Sequence, residues 1–358
     1  MIDFLIIGGG VAGASAAFRL SSLGSTVVLE REDALAYHAS GRSAALFEPN
    51  YGKPAVVALN KASAGYLSET DGGVLSPRGL MIIGTADTKE QFTKDVAEFE
   101  MHKISVDEAC AIVPILDKAI VTNAAMDSIA RDIDTDLLIQ NFARKARANG
   151  AKILTKTGVK EIRKTPSGWA VTAGNDVFEA RHIINAAGAW ADEIATMAGI
   201  APIGLTPLRR SMARIPAPGG HDVSSWPMIF GPGETWYAKP DAGALLVSPA
   251  DETAVEPHDA FADDMTLAEG LDRYEGHVTE PVTRLLSSWA GLRTFAPDRQ
   301  LVIGPSASDP SFVWSAGQGG YGMQTSPAAS QLLADLISGN TPKISKEAVV
   351  GTAAHRFG

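Results

Sequence analysis

Residues 6–20 read IIGGGVAGASAAFRL. An apolar lead-in, three consecutive glycines and a run with helical spacing make a strand, a tight turn and a helix. Upstream, IDFLII at 2–7 reads as a buried strand. Downstream, the small residues Ala12, Ala14, Ala16 and Ala17 let a helix over 11–23 pack closely on a sheet, and TVVLE at 26–30 reads as the next strand. Strand, helix and strand in this order imply a parallel sheet. Gly8, Gly10 and Gly13 fit G-x-G-x-x-G at the turn. The first glycine lets the chain turn, the second lets backbone approach a pyrophosphate, and the third lets helix and strand pack. The helix N-terminus at Val11 and Ala12 supplies free N–H groups and a partial positive charge. Glu30, followed by Arg31, ends the next strand. Its carboxylate can accept from ribose hydroxyls and disfavours a 2′-phosphate.

The 358 residues, 45% of them hydrophobic, suffice for two domains. A net charge of −10 without a block of Lys and Arg excludes a nucleic-acid backbone as partner. The single cysteine, Cys110, rules out an intramolecular disulfide and a thiolate metal cluster, and reads as a small core residue. No His and carboxylate group has metal-ligand spacing, so no metal is expected. His38 and His182 read as structural. No stretch of ~18 apolar residues occurs, which argues against a spanning helix. The chain passes from Met1 straight into a strand with no basic leader, giving the expectation of a cytoplasmic protein.

Further along, residues 34–52 read as a long loop entering a helix near Ser43. Helices are expected over 56–69, 89–101, 107–112 and 135–149, and a turn and strand over 75–85. Four strands follow between 151 and 186, ending at a second glycine turn, INAAGAWAD at 184–192, with Ala187, Gly188 and Trp190. Short alternating strands over 201–250 suggest an antiparallel sheet facing a pocket. Residues 264–286 read as helical. A third glycine turn, GQGGYGMQTS at 317–326, precedes the last helix. The expected fold is mixed α/β. A Rossmann-like dinucleotide domain (1–78, 128–200 and 290–358) carries an interleaved substrate domain (79–127 and 201–289) on a mixed, largely antiparallel sheet. One ligand meeting all three glycine turns must be long, and extended FAD fits better than NAD.

GGGVAGASAAFRLSSLGSTVVLER at 8–31, GRSAALFEPNYG at 41–52, INAAGAWAD, WYAKPDAG at 236–243, WAGLRTF at 289–295 and GQGGYGMQTS occur in this order. Together they resemble the D-amino-acid oxidase superfamily of flavoproteins, and within it the bacterial FAD-dependent D-arginine dehydrogenases, along nearly the whole chain. The resemblance implies noncovalent FAD, since Cys110 lies in no attachment motif. It implies hydride transfer from the Cα of an amino acid to flavin N5, with the imino acid then hydrolysed to a 2-oxo acid and ammonia. The partners implied are a small amino-acid substrate and an electron acceptor, a quinone or another carrier.

The resemblance also assigns roles. Arg293 clamps the substrate carboxylate, for which a planar guanidinium suits better than an ammonium. Tyr237 adds a hydroxyl to that clamp. Arg210, beside Arg209, is a second pocket arginine, and Tyr51 sits on a mobile loop covering the pocket. Gly319, Gly320, Tyr321 and Gly322, with Met323, Gln324 and Thr325, let backbone approach the isoalloxazine, and the helix N-terminus near Thr325 and Ser326 faces flavin N1 and C2=O. After Gly41, Arg42 serves the pyrophosphate, and Ser43, Ala44 and Ala45 lie along the ring. Val159 meets the adenine through its backbone.

The chain departs from the D-arginine enzymes at two points. Their glutamate for the distal cation is Leu80 here, and their loop histidine is Leu46. Both changes make the pocket apolar. A guanidinium there loses its partner at a cost of about 1–3 kcal/mol or more. Neutral or apolar D-amino acids are therefore expected over D-arginine. Glu48 on the covering loop is either solvated or meets a cation from another side. The alternatives are a glycine- or sarcosine-type amine oxidase, a 2-hydroxy-acid dehydrogenase, for which no histidine base stands out, and a non-catalytic FAD-binding assembly factor, which would need no Arg293 clamp.

Overall fold

The computed structural model describes residues 1–357. The strands Ile2–Ile7 and Thr26–Leu29 are largely apolar, and Phe4–Ile7 and the whole of Thr26–Leu29 are buried, as a parallel sheet covered on both faces requires. They pair in parallel, Ile6 beside Val28. Ile6 also lies beside Ile184 of the long strand Asp176–Asn185. Lys152–Leu154 adds to the outer edge of Thr26–Leu29, and Phe312–Ala316 adds beside residues 183–185, both parallel. The first half of Asp176–Asn185 pairs instead with Gly168–Ala173, antiparallel, and that strand with Val159–Thr165. Val302–Pro305 completes this eight-stranded sheet. Helices Val11–Leu20, Pro54–Glu69 and Gly322–Ser338 close one apolar layer over it, built on Leu20, Leu59 and Leu333. Trp169, Phe312 and Trp314 fill the other face.

A second sheet has nine strands. Thr206–Pro216, Ala244–Ser248 and Tyr237–Asp241 run antiparallel to their neighbours, and Met228–Phe230 runs parallel to Leu80–Gly84. Asn123–Asp127 pairs with Leu80–Gly84, placing Asp127 opposite Leu80. Ser287–Phe295 pairs along its whole length with Thr206–Pro216, so the expected domain limit at 290 falls inside a strand of this sheet. A small third sheet joins Leu46–Phe47, Arg131–Ile133 and Leu75–Pro77. The architecture is the expected mixed α/β fold. Among the described residues, no helix is long and apolar enough to cross a membrane.

Three local readings are corrected. No helix forms at Ser43: a single 3-10 turn, Ala39–Arg42, gives way to extended backbone and the strand Leu46–Phe47. The Ser43 hydroxyl accepts from Ala45 N–H, a local bond that competes with a helix. The helix expected over 264–286 stops at Glu275. Gly276 caps it, the Glu275 carboxylate turns back to accept from Val282 N–H, and Pro281 cannot continue it. The Lys89–Glu98 helix ends three residues early because Glu100 adopts a left-handed conformation. A last short helix, Lys346–Thr352, carried no expectation from sequence.

Candidate active site

The first glycine turn is packed as the motif requires. Gly8 has φ +106°, and a Cβ there would stand 2.4 Å from the Ala186 carbonyl oxygen. A Cβ on Gly13 would stand 1.9 Å from the Gly8 carbonyl oxygen. A Cβ on Gly41 would meet the Ala36 carbonyl. These contacts bring the Val11 helix start down onto the sheet edge, where its N–H groups open into a trough. Val11 N–H reaches across the trough to the Ser40 hydroxyl at 3.0 Å.

The trough is two cavities running end to end, sharing Gly10, Ser40, Arg42, Gly188 and Leu292. Glu30, Arg31, Val159, Ala187 and Trp190 line its outer end. Glu30 is held by Gly9 N–H at 2.6 Å and Glu32 N–H at 2.8 Å. The Arg31 guanidinium lies over the Trp190 ring, 4.3 Å from its centroid. Ala12, Ser43, Ala44, Ala45, Gly319, Gly322, Met323 and Gln324 line the middle and inner parts. A ligand as long as FAD fits this shape: an acidic residue for the ribose at one end, glycine-bared backbone in the middle, and small side chains beyond. When bound, FAD would be held by these residues.

The inner end brings Arg293, Tyr51, Tyr237, Arg210, Leu46, Leu80, Glu48 and Gly320 into one cavity. Arg293 Nη2 donates to the Tyr51 hydroxyl at 2.9 Å, and that hydroxyl donates to Glu234 at 3.1 Å. Burial foremost, with Glu234 beside it, pushes the Tyr51 hydroxyl well above the ordinary tyrosine range, against the Arg293 charge. Tyr51 is thus a neutral donor and no base. Burial works against the Arg293 charge, but Tyr51 and Glu234 outweigh it and its pKa is raised. Arg210 donates to the Asp251 carbonyl at 2.9 Å and lies near the Tyr237 ring. Glu252 accepts from Arg299 at 2.8 Å and touches Arg210 and Arg293.

Several expectations change. Arg42 is committed to the scaffold: its guanidinium bonds Asp259 and the carbonyls of Ala260 and Ala290. It borders the trough, but those acceptors use the donors that a pyrophosphate would need. The last long helix begins at Gly322, so its free N–H groups precede Thr325, whose own N–H is bonded to the Tyr321 carbonyl. Thr325 and Ser326 lie buried behind the cavity. Tyr321 is buried too, edge-on to Tyr51 and Phe295, supporting the wall from behind. Glu48 is not solvated: it is buried at 3% exposure, facing Asp127. Phe99, Met212, Met228, Phe230, Glu234 and Ser40 also line the cavity and were missed. Strand alternation gives Met212, Met228 and Phe230 an inward face, but not which face meets a ligand. Glu234, in a glycine-rich turn, carries no such signal.

Comparison with known proteins agrees with this geometry. The chain is similar to the hydrogen cyanide synthase subunit HcnC of Pseudomonas aeruginosa, 27% identical over 212 residues, covering 57% of this chain and about half of that one (48%). It is 22% identical to the glycine oxidase of Bacillus licheniformis over 95% of this chain and 94% of that one. The solved L-proline dehydrogenase of P. horikoshii shares the fold with a TM-score of 0.84, at 23% identity over 99% of this chain and 97% of that one. The family model DAO, "FAD dependent oxidoreductase", matches residues 3–336, and the chain belongs to this family of FAD-dependent oxidoreductases.

Proposed function

We propose that this protein oxidises the Cα–N bond of a D-α-amino acid with an uncharged side chain, giving an imino acid that water converts to the 2-oxo acid and ammonia. One observation carries the reading: the Arg293 guanidinium and the Tyr51 hydroxyl, 2.9 Å apart, sit at the inner end of a cavity whose wall also presents the apolar side chains of Leu46, Leu80, Met228 and Phe230. FAD supplies the two-electron acceptor for the Cα hydride. Arg293 offers its fork to the substrate carboxylate, and the hydroxyls of Tyr51 and Tyr237 flank it. Fixing the carboxylate fixes the direction of the Cα–H bond. Leu46, Leu80, Met228 and Phe230 receive the side chain and exclude water. With no carboxylate at Leu80, a guanidinium entering there goes unpaired.

The similarity to glycine oxidase along nearly the full length of both chains favours a second reading, glycine or an N-methylated glycine. The same carboxylate clamp serves it.

Anaerobic bleaching of the FAD-loaded protein by D- and L-amino acids, glycine, sarcosine and 2-hydroxy acids separates the readings. Bleaching by neutral D-amino acids, with D-arginine at least about tenfold poorer in kcat/KM, is expected. Bleaching by sarcosine or glycine alone selects the second reading, and bleaching only by hydroxy acids refutes both. Arg293→Ala is expected to lower kcat/KM by about 30-fold or more, the effect of removing one partner of a buried charge pair.

A further inference from the structure

Glu48 follows the strand Leu46–Phe47 and lines the inner cavity at 3% exposure. Its carboxyl faces that of Asp127, itself 7% exposed at the end of Asn123–Asp127. One oxygen of each has a backbone donor: Asn50 N–H to Glu48 Oε1 at 2.9 Å, and Ile129 N–H to Asp127 Oδ1 at 2.8 Å. The other two, Glu48 Oε2 and Asp127 Oδ2, receive no N–H or hydroxyl donor. Two ionised carboxylates in contact repel, and a proton between them satisfies both oxygens.

The surroundings leave that proton in place. The charges acting on Glu48 are carboxylates, Asp127 and then Glu100. From the Pro54–Glu69 helix, Asn60 donates only to the backbone carbonyls of Glu48 and Tyr51. From the Gly322–Ser338 helix, Gln324 Oε1 accepts from Glu48 N–H at 2.9 Å. Burial first, then Asp127, raises the Glu48 carboxyl to about 8. Gln324 supplies a separate pointer to a ligand. It is 2% exposed, lines the same cavity, and its Nε2 has no partner.

We propose that Glu48 and Asp127 share one proton and, with the Gln324 amide, form a subsite that binds an uncharged hydrogen-bonding group at the end of the substrate side chain, a carboxamide above all. This rests on the amino-acid reading given above. A carboxamide matches both halves: its NH2 donates to a carboxyl oxygen of Glu48, and its carbonyl accepts from Gln324 Nε2. A purely aliphatic end leaves the Gln324 amide unpaired. A cationic end docks on Glu48 only as the shared proton leaves to solvent, so its binding weakens as pH falls.

The test uses the FAD-loaded protein and two readouts. Infrared difference spectra report a buried protonated carboxyl directly. Its C=O stretch is expected to disappear with a midpoint near pH 8, to be absent in Glu48→Gln, and to titrate at lower pH in Asp127→Asn. Absence of the band in wild type at neutral pH overturns the shared proton. Flavin absorbance, perturbed by unreactive carboxylates, reports the subsite. Glutaramate is expected to bind about tenfold tighter than its hydrocarbon isostere isoheptanoate, with the order reversed in Glu48→Leu. Binding of δ-aminovalerate should weaken about tenfold per pH unit below the midpoint. Equal binding of glutaramate and isoheptanoate in wild type overturns the subsite, even with the band present. If none of the three perturbs the flavin, the carboxylate clamp fails and the subsite with it, while the band still reports the pair.

Discussion

At the scale of single residues, Gly320 and Arg293 occupy one space. A Cβ on Gly320 would stand 1.6 Å from Arg293 Nη2 and 2.4 Å from its Cζ. The guanidinium is already fixed by Tyr51 on one side and Glu252 on the other, so it cannot give way without losing a partner. Gly320 has no positive φ, so a methyl there strains no backbone. Gly320→Ala should therefore displace the Arg293 guanidinium and spare the fold. A rise in KM of about tenfold or more is expected, with FAD content and thermal midpoint near wild type. Loss of FAD on the same substitution would instead make Gly320 a cofactor contact. Arg293 was legible in the sequence because its motif is local, WAGLRTF. Glu234 was not, because it reaches Arg293 only through Tyr51, from a turn remote in the chain. The burial of Glu48 was equally hidden: a carboxylate in an aperiodic loop reads as solvated, and Asn60 and Gln324, which enclose it, come from two distant helices.

Among elements, the start of the Val11–Leu20 helix is set by one close backbone contact. The Gly8 carbonyl occupies the space that a side chain at 13 would need. Gly13→Ala must push the helix off the Ile2–Ile7 strand, at a cost of about 1–3 kcal/mol for overpacking. The helix start is also where the trough receives its N–H donors, so FAD occupancy should fall along with the thermal midpoint. Flavin content per purified chain and a melting curve check both. An unchanged flavin content would place the pyrophosphate elsewhere. This element was readable because strand, glycines and helix are contiguous and each carries its own signal. The Thr135–Ala148 helix was readable for the same reason, with Asp134 capping its start and Asn149-Gly150 following its end. The segment after Gly276 was not. Its sequence tolerates a helix, and what ends the helix is a cap together with a carboxylate folding back onto Val282.

For the whole molecule, the inner end of the trough is walled by the small third sheet, at Leu46, and by the nine-stranded sheet, at Leu80, Met212 and Met228, so its width there depends on what ties those two sheets. One tie is a single carboxylate. Asp132, in the small third sheet, accepts from Lys239 Nζ at 2.6 Å and from Arg78 Nε at 2.7 Å. Lys239 belongs to the nine-stranded sheet and is 7% exposed. Burial lowers its pKa, and Asp132 opposes that shift. Arg78 carries the tie onward to the carbonyls of Ser224 and Trp226. Removing the carboxylate leaves a buried ammonium unpaired, a loss of about 3–5 kcal/mol. Asp132→Ala should therefore lower the urea midpoint markedly and widen the trough, and FAD should dissociate before the chain unfolds. Replacing Asp132 and Lys239 together with apolar residues, Asp132→Leu with Lys239→Met, removes the stranded ammonium and should recover part of the stability, Arg78 keeping its bonds to the Ser224 and Trp226 carbonyls. If the double variant is as unstable as the single one, the loss comes from Arg78 or from packing around Asp132, and not from the Lys239 ammonium. If it regains stability but not FAD affinity, the ion pair sets the spacing of the sheets as well as their cohesion.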